Sequence, residues 1–495
     1  MFRPSPLLAL FACLPAVLGS ASHCTKLASF LPGRVFFPNN ETYTSAQASY
    51  FALQEQQLTP TCIVIPSSAE HVATAVSRLA ELPGSVFAIR SGGHSSVPGA
   101  ANAHHGITID LQQLNAVDLA DGVVSIGPGA LWTDVYDVLV PHGLAVVGGR
   151  TGIVGVGGLV TGGGLSAFSP HRGFACDNVV NMQVVLASGA IVDANATNHA
   201  DLFAALKGGQ NNFGVVTRFD MQTFPQGDFW GGAIQYPASA DAAQLKAFHA
   251  FKASSSDPDA EVEVSFLFNG SDPDNPYSSN NMFYARPVVN ASALRVFSDI
   301  TPQLYSSMRV SNLSDFGNEL SLFQPVDQFS IYATTTIRLS AAILRDIHAL
   351  WQSFTTKQTI RQAPSLLSVL TFQALPPIIP SSPNVLGFAP TSHPETDLVL
   401  VLLSTYWSRE DSEHSYVLHS GTRELLSALD ELAESQALGH RFRYVNYAAE
   451  WQDPLASYGE LSVREMRRVA AVYDPLGVFR WNVPGGFKVP VGIHD

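Results

Sequence analysis

The sequence predicts an α+β protein with two domains and a C-terminal segment. Short apolar, strand-like runs alternate with amphipathic helical patterns along the chain, and glycine becomes rare after Pro225. The 495 residues are 46% hydrophobic and 14% charged, which excludes a disordered chain and leaves room for more than one core. We therefore expect a first domain at 25–222, a second at 223–435 and a final segment at 436–495.

The first domain is predicted to consist of short strands and helices joined by glycine-rich turns. Pro66 ends the β-branched run Cys62–Ile65, and Ser67 with Glu70 forms a predicted capping box for the helix that follows. Further strands are predicted at 86–89, 107–111, 214–219 and in a hairpin at 183–194, with helices at 131–139 and 201–206. In the second domain, strands are predicted at 262–268, 330–337 and 398–406, with helices at 341–354 and 415–438.

Residues 1–21 are typical of a secretory signal peptide. Arg3 precedes an apolar run at 7–18, and small residues follow, so cleavage is expected after Gly19 or Ala21. No later run reaches 18 apolar residues, so we expect a secreted protein without a membrane segment. Five N-x-S/T sequons are candidate glycosylation sites, and the three between 269 and 312 suggest an exposed, irregular surface. The candidates are Asn40, Asn195, Asn269, Asn290 and Asn312.

Charge and cysteine content limit the possible partners. The net charge of -14 argues against binding to nucleic acid. Neither a C-x-x-C motif nor an H-E-x-x-H motif is present, so no metal is expected. After signal removal three cysteines remain, Cys24, Cys62 and Cys176, which indicates one disulfide and one free thiol with the pairing open.

Two glycine-rich motifs indicate a site where backbone approaches a ligand. The motif R-S-G-G-H-S at 90–95 directly follows a predicted strand, and its paired glycines allow main-chain N–H groups to close on a phosphate. Residues 148–164 include nine glycines among seventeen residues. Neither motif matches a Walker loop, and G-x-G-x-x-G fails because Val160 occupies the third glycine position.

Two further motifs lie at the end of the first domain and in the final segment. Residues 207–216 read K-G-G-Q-N-N-F-G-V-V, and residues 444–447 read Y-V-N-Y. Taken alone, a cluster of tyrosine and asparagine is more often a hydrogen-bonded core network than a catalytic site. G-x-S-x-G is absent, which argues against a serine hydrolase of that type.

In this order and spacing, the four motifs resemble the berberine-bridge-enzyme-like branch of the vanillyl-alcohol-oxidase flavoproteins. The resemblance covers nearly all of the mature chain, from Cys62 to Asn482. It implies a two-lobed FAD-binding domain of the PCMH type with its core at about 57–222. It also implies an α+β substrate domain whose antiparallel sheet is covered by helices, and a C-terminal segment that returns to the FAD domain.

The resemblance also implies how FAD is held. His94 corresponds to the family's histidine that bonds covalently to the 8α-methyl group, whereas Thr151 replaces the cysteine of doubly tethered members, so a single histidyl tether is expected. Cys176 lies elsewhere in the sequence and is expected to be structural. The other residues expected to contact FAD are Arg90, Ser91, Gly92, Gly93, Ser95, Val154, Gly155, Gly157, Gly158, Gly163, Gly214, Val215 and Val216.

The activity implied is that of an oxidase. FAD accepts a hydride from a small alcohol or a secondary-metabolite intermediate and passes electrons to oxygen, giving hydrogen peroxide. Tyr444 and Tyr447 are the candidate bases, with Asn446 as a hydrogen-bonding partner. A tyrosine base needs a nearby positive charge, and the adjacent Arg443 would face away in a strand. In the family, a valine at Val154 accompanies reaction with oxygen.

Alternatives to that activity remain open at the level of sequence. They are a secreted carbohydrate oxidase, a flavin dehydrogenase of the same fold, and a protein that has lost its flavin. The expected partners are a small-molecule substrate and molecular oxygen, and a monomer is expected.

Because Cys24 and Cys62 both lie at the start of the mature chain, whereas Cys176 lies inside the flavin domain, we predict a Cys24–Cys62 disulfide.

Overall fold

The computed structural model describes residues 20–254, 257–377, 382–388 and 397–491. Most of the predicted signal peptide, residues 1–19, lies outside the described residues. Residues 20–30 form a helix, α1, and Cys24 lies within it. Among the described residues, no helix is both long enough and apolar enough to cross a membrane.

The first domain begins with a four-stranded sheet whose order is β1-β2-β4-β3. Strands β2 and β3 run parallel to β4, and β1 is antiparallel to β2. Helix α4 starts one residue later than the predicted capping box, because Ser68 rather than Ser67 caps it and accepts the N–H of His71 at 3.3 Å. The elements are β1 (Val35–Phe36), α2 (Glu41–Ala48), α3 (Leu53–Gln56), β2 (Cys62–Val64), α4 (Ala69–Glu81), β3 (Phe87–Arg90) and β4 (Ile107–Asp110).

A second, antiparallel sheet of order β5-β6-β10-β8-β9 completes this domain. The predicted hairpin is confirmed as β8 and β9, with Gly189 at φ +83° in its turn. The elements are β5 (Val117–Ala120), β6 (Val123–Ile126), α5 (Trp132–Leu139), β7 (Leu144–Ala145), α6 (Val156–Thr161), α7 (Ser169–Arg172), β8 (Val179–Val185), β9 (Ile191–Asn195), α8 (Ala200–Leu206), β10 (Val215–Gln222) and β11 (Phe224–Pro225).

The second domain is built on a nine-stranded antiparallel sheet. Its order is β15-β12-β14-β13-β18-β19-β17-β20, and β16 also pairs with β12. Helices α9, α12 and α13 pack on one face of this sheet and form its apolar core. The elements are β12 (Phe229–Pro237), α9 (Asp241–Ser254), β13 (Ala260–Asn269), β14 (Tyr277–Tyr284), α10 (Arg295–Ser298), β15 (Tyr305–Ser306), β16 (Arg309–Ser311), α11 (Leu313–Leu322), β17 (Phe329–Arg338), α12 (Ala341–Thr356), β18 (Leu367–Ala374), β19 (Leu398–Trp407), α13 (Ser415–Ser435) and β20 (Gly439–His440).

The expected irregular surface at 269–312 is wrong in part. Strand β14 lies inside this range and pairs on both sides, with β12 and β13. Asn280 in this strand is fully buried. Of the predicted sequons, Asn40 and Asn290 are exposed, whereas the other three are half-buried. Glycosylation stays a prediction at all five.

The C-terminal segment packs against the first domain. The carbonyl of Asn482 accepts the N–H of Phe87 at 2.7 Å, and the Asn212 side chain donates to the carbonyl of Phe487 at 3.0 Å. The helices of this segment are α14 (Pro454–Ser457), α15 (Glu460–Tyr473) and α16 (Val478–Trp481). The chain thus crosses from the second domain back to the first, and residues 444–447 lie on that crossing.

A disulfide joins the N-terminal helix to the first domain. Cys24 of α1 is bonded to Cys62 of β2, as expected, and both residues are fully buried. Cys176 is free and buried. The bridge spans 38 residues, so it constrains the unfolded chain and stabilises the fold by about 3–4 kcal/mol in the chain-entropy account.

Candidate active site

A cavity of about 530 Å³ lies between the glycine-rich loops of the first domain and the open face of the nine-stranded sheet. We call it the main cavity. The loop that follows β3 and the segment around α6 form one wall, and residues of β12, β13, β14, β17, β18 and β19 form the other. Its volume is within the range of about 300–1,000 Å³ that is usual for ligand sites.

Two glycines fix the first wall, because their backbones touch. A Cβ added at Gly92 would lie 2.6 Å from the Cα of Gly155, and a Cβ on Gly155 would lie 2.6 Å from the Cα of Gly92. The Ser91 hydroxyl donates to the carbonyl of Pro128 and accepts the N–H of Gly157 at 3.2 Å. Neither glycine can be replaced without separating the two loops.

His94 projects into the main cavity from this wall. Its ring stacks on Phe51 with centroids 3.9 Å apart and an angle of 22° between the planes. Burial lowers the pKa of His94 to about 4, so the imidazole is neutral at physiological pH. A neutral imidazole keeps a lone pair on one ring nitrogen, which is the state a nucleophile needs.

The loop that carries His94 offers main-chain donors to a ligand. Within the part of the chain that the structure describes, the N–H groups of residues 92–96 donate to no protein acceptor. Gly93 holds a left-handed φ of +70°, which turns the chain at this point. Consecutive free N–H groups beside glycine form a concave anion site, so the loop fits the diphosphate of FAD.

Two of the predicted cofactor residues do not line the cavity. Arg90 instead points into the first domain, where its guanidinium binds Asp110 at 3.2 Å and the Ser49 hydroxyl at 2.7 Å. Its expected place beside a phosphate is therefore wrong, although it packs under Gly93 and supports the loop. Gly163, at φ +108°, lies behind Tyr444 rather than in the cavity wall.

The other predicted cofactor residues all line the main cavity. They are Ser91, Gly92, Gly93, His94, Ser95, Val154, Gly155, Gly157, Gly158, Gly214, Val215 and Val216. Thr151 lies in the wall as well, where a cysteine would stand in a doubly tethered site. The space beside Gly158 is open, since a Cβ added there would have no neighbour within 4 Å. A continuous glycine-lined groove of this kind fits a flat, extended cofactor.

Across the cavity, Arg150 forms a buried cluster with residues of the sheet. Its guanidinium pairs with Glu261 at 2.7 Å and with Glu263 at 2.9 Å, and all three side chains are at most 13% exposed. The Nη2 atom also lies 2.9 Å from the Gln373 amide oxygen and 3.0 Å from the Tyr447 hydroxyl. Arg150 is thus the positive charge that a tyrosine base requires.

The two candidate tyrosines have different surroundings. The Tyr444 hydroxyl accepts the N–H of Gly164 at 3.0 Å and the side-chain amide of Asn446 at 3.1 Å, and burial raises its pKa. Asn446 also donates to the carbonyl of Leu159 at 3.1 Å. Burial raises the pKa of Tyr447 as well, but Arg150 opposes that rise directly. Tyr447 is therefore better placed to lose a proton.

The Arg150 cluster was not among the predicted site residues. Arg443, the positive charge adjacent to Tyr444 in sequence, instead binds Asp430 at 2.9 Å. One signal was present, because Arg150 is the only charged residue among the glycines at 148–164. The partners Glu261, Glu263 and Gln373 carry no motif, since they become neighbours only through pairing of β13 with β18.

The chain is similar to FAD-binding proteins along its length. A family model described as an FAD binding domain matches residues 60–195. The FAD-dependent monooxygenase tpcD of Cochliobolus heterostrophus is 37% identical over 472 residues, covering 92% of this chain and 89% of the relative. The FAD-dependent monooxygenase drtC of Aspergillus calidoustus is 33% identical, covering 95% and 90%.

Solved structures share the same fold at low sequence identity. The 6-hydroxy-D-nicotine oxidase of Arthrobacter nicotinovorans has a TM-score of 0.79 at 20% identity, covering 93% of this chain and 98% of that one. The xylooligosaccharide oxidase of Myceliophthora thermophila has a TM-score of 0.74 at 20% identity, covering 95% and 100%. Berberine bridge enzyme has a TM-score of 0.73 at 16% identity, covering 96% and 99%. With its glycine-lined groove and these relatives, the chain belongs to the family of FAD-linked oxidoreductases that includes tpcD and drtC, and it shares the fold of berberine bridge enzyme.

Proposed function

We propose that this protein is an oxidase that removes a hydride and a proton from a small alcohol or a secondary-metabolite intermediate and forms hydrogen peroxide from oxygen. One observation carries the proposal: the neutral His94 imidazole and the Tyr447–Arg150 pair open onto the same cavity. His94 would hold FAD through a single 8α-histidyl bond, because Thr151 cannot form the second tether. A bound flavin supplies the hydride acceptor.

Tyr447 would take the proton from the substrate hydroxyl. Its hydroxyl group faces the cavity beside Arg150, whose guanidinium stays charged at any physiological pH. Only the phenolate form of Tyr447 can accept this proton. It would arise by loss of the Tyr447 proton to water, would be stabilised by the Arg150 charge and by the Gln373 side chain, 3.4 Å away, and would return to the neutral phenol on taking the substrate proton. Positioned proton transfer of this kind typically contributes 10²–10⁴-fold to a rate, roughly.

The position of the Arg150 guanidinium favours ionisation of the Tyr447 hydroxyl. Its two Nη2 hydrogens donate to the Gln373 amide oxygen at 2.9 Å and to the Tyr447 hydroxyl at 3.0 Å, and Glu263 is an ion-pair partner of the same atom at 2.9 Å. The guanidinium is therefore already hydrogen-bonded to Tyr447. Loss of the Tyr447 proton would strengthen this bond without a movement of Arg150.

Tyr444 and Asn446 would hold the site rather than take the proton. The Tyr444 hydroxyl is already an acceptor for Gly164 and Asn446, and Asn446 fixes it to the backbone of α6 at Leu159. The rings of Tyr444 and Tyr447 meet edge to face, with centroids 4.8 Å apart. Tyr444 thus sets the orientation of the Tyr447 ring.

The other proposed features concern oxygen and location. Val154 is half-buried in the cavity wall, where a small side chain leaves space for oxygen beside the cofactor.

The buried Cys24–Cys62 bridge supports secretion, because disulfides persist in oxidising compartments. We therefore propose a secreted monomer that meets substrate and oxygen outside the cell.

A second activity is suggested by the names of the relatives. Several are called FAD-dependent monooxygenases, and such an enzyme inserts one oxygen atom into its substrate. Two structural neighbours are oligosaccharide oxidases, which favours carbohydrates as the alternative substrate class. A monooxygenase would differ from the proposed oxidase in the fate of the oxygen atoms. A carbohydrate oxidase would differ from it in the substrate that is consumed.

Turnover under labelled oxygen separates the two activities. We expect one hydrogen peroxide per substrate consumed, with both labelled atoms in the peroxide, in a screen of aromatic alcohols and oligosaccharides. Peroxide yield is followed by a peroxidase-coupled assay and product mass by mass spectrometry. A product heavier by one labelled oxygen, with peroxide below stoichiometry, would establish the monooxygenase instead.

Replacing His94 should release the cofactor. Wild-type protein precipitated with trichloroacetic acid should give a yellow pellet, whereas His94→Ala should lose essentially all flavin to the supernatant. His104→Ala is the matched control, because His104 is an exposed loop histidine away from the cavity, and its pellet should stay yellow. A colourless wild-type pellet would refute the covalent tether.

Replacing Arg150 should move the pH profile. In Arg150→Met the Tyr447 pKa rises further, so the ascending limb of kcat/KM shifts to higher pH by about one to three units. At neutral pH this is a loss of at least about tenfold. Arg443→Met is the control and should keep the wild-type profile, since that side chain binds Asp430. An unchanged limb in Arg150→Met would mean that another group titrates.

A further inference from the structure

A second cavity of about 290 Å³ adjoins the main cavity, and we call it the side cavity. Ser96, Val97 and Tyr332 line both cavities. Tyr332 forms the partition, since its ring lies 6.4 Å from the Tyr447 ring, centroid to centroid, and its hydroxyl accepts from Tyr406 at 2.9 Å. A ligand in the side cavity would therefore lie one side chain away from the proposed base.

Phenylalanine, tyrosine and tryptophan make up a third of the residues that line the side cavity. Phe329 of β17 and Trp407 of β19 are register partners whose rings stack 5.5 Å apart. Trp451 packs edge to face on His419, with centroids 4.7 Å apart. Tyr416 stands at the rim with 83% of its surface exposed, so no protein contact covers its ring. An uncovered aromatic ring at the rim of a concave site is a stacking surface for a ligand.

The polar groups of the side cavity already bind one another. His419 and Glu450 pair at 2.9 Å. The Gln54 amide donates to the carbonyls of Ser96 and Ser330 at 2.7 and 2.6 Å, and the Ser415 hydroxyl accepts from Trp407 at 2.9 Å. A sugar would need free partners for its many hydroxyl groups, and few remain here. A neutral, flat ring needs only the stacking surface.

We propose that the side cavity binds a distal aromatic ring of the substrate, whose oxidised end lies in the main cavity against Tyr447. This proposal rests on the oxidase function proposed above and adds to it a substrate class: a neutral alcohol that carries a second aromatic ring. The ring would lie against Tyr416 and Trp451, and the linker would pass Ser96 and Val97, where the two cavities meet.

A pair of alcohols that differ by one ring tests the proposal. We would measure the dissociation constants of benzyl alcohol and 4-biphenylmethanol by saturation-transfer NMR without oxygen, where each flavin can oxidise at most one molecule and the excess alcohol reports binding. Tyr416→Ala should weaken 4-biphenylmethanol about three- to tenfold, the usual range for loss of one aromatic contact, and leave benzyl alcohol unchanged. Tyr305→Ala, which removes an exposed tyrosine on β15 outside both cavities, should change neither.

Other outcomes overturn the proposal in distinguishable ways. Equal affinity of 4-biphenylmethanol for wild type and Tyr416→Ala shows that no ring stacks there. Cellobiose that binds more tightly than 4-biphenylmethanol and loses affinity in Tyr416→Ala assigns the side cavity to a sugar. Because binding is measured in the absence of oxygen, these results stand apart from the peroxide assay, whose failure would refute the oxidase function alone.

Discussion

Arg150 joins the two domains through ion pairs with Glu261 and Glu263, and the proposed base Tyr447 depends on this contact. Arg150 belongs to the glycine-rich segment of the first domain, whereas both carboxylates project from β13 of the second. Burying three charges costs several kcal/mol, roughly, for each ion and is offset only when the geometry is complete. The cluster therefore contributes little to the free energy of unfolding. Its effect on the pKa of Tyr447 explains it better.

Burial and charge act on Tyr447 in opposite directions. Removal from water raises its pKa, and Glu263 and Glu261 raise it further, while Arg150 and Gln373 lower it. Burial also raises the pKa of Glu261, and its ion pair with Arg150 lowers that pKa. The balance keeps the phenol protonated in the free protein and brings a positive charge within hydrogen-bond reach for the moment when the proton leaves. A cavity arranged in this way suits a neutral substrate better than an anionic one.

The two walls of the main cavity differ in how far the sequence predicts them. One wall comes from the loops of the first domain and the other from the nine-stranded sheet. Glycines that permit backbone contact leave a local pattern, so the sequence predicts the ligand-facing loops at 90–95 and 148–164 directly, whereas the role expected of His94 follows only from the family resemblance. Arg90 was misplaced because a charge in a glycine motif suggests a phosphate partner, whereas Asp110 on the neighbouring strand binds it. That pairing depends on the parallel sheet rather than on local spacing.

The nine-stranded sheet was harder to predict, because polar residues that face the main cavity interrupt the apolar alternation of its strands. Strand β14 reads Y-S-S-N-N-M-F-Y, and its Ser279 and Asn281 face the main cavity. Polar residues there removed the apolar alternation that identifies a strand, so the segment was interpreted as irregular surface. Strands β17 and β19, which are richer in β-branched and aromatic residues, lie within one residue of their predicted bounds.

The central claim, that Arg150 acts on the reaction through Tyr447, is tested most directly by a double-mutant cycle. The rate of substrate-driven flavin reduction would be measured under anaerobic conditions for wild type, Arg150→Met, Tyr447→Phe and the double variant. If Arg150 works by stabilising the Tyr447 phenolate, the double variant should be no slower than Tyr447→Phe alone. Losses that multiply in the double variant would show that the two side chains act independently and would contradict the account.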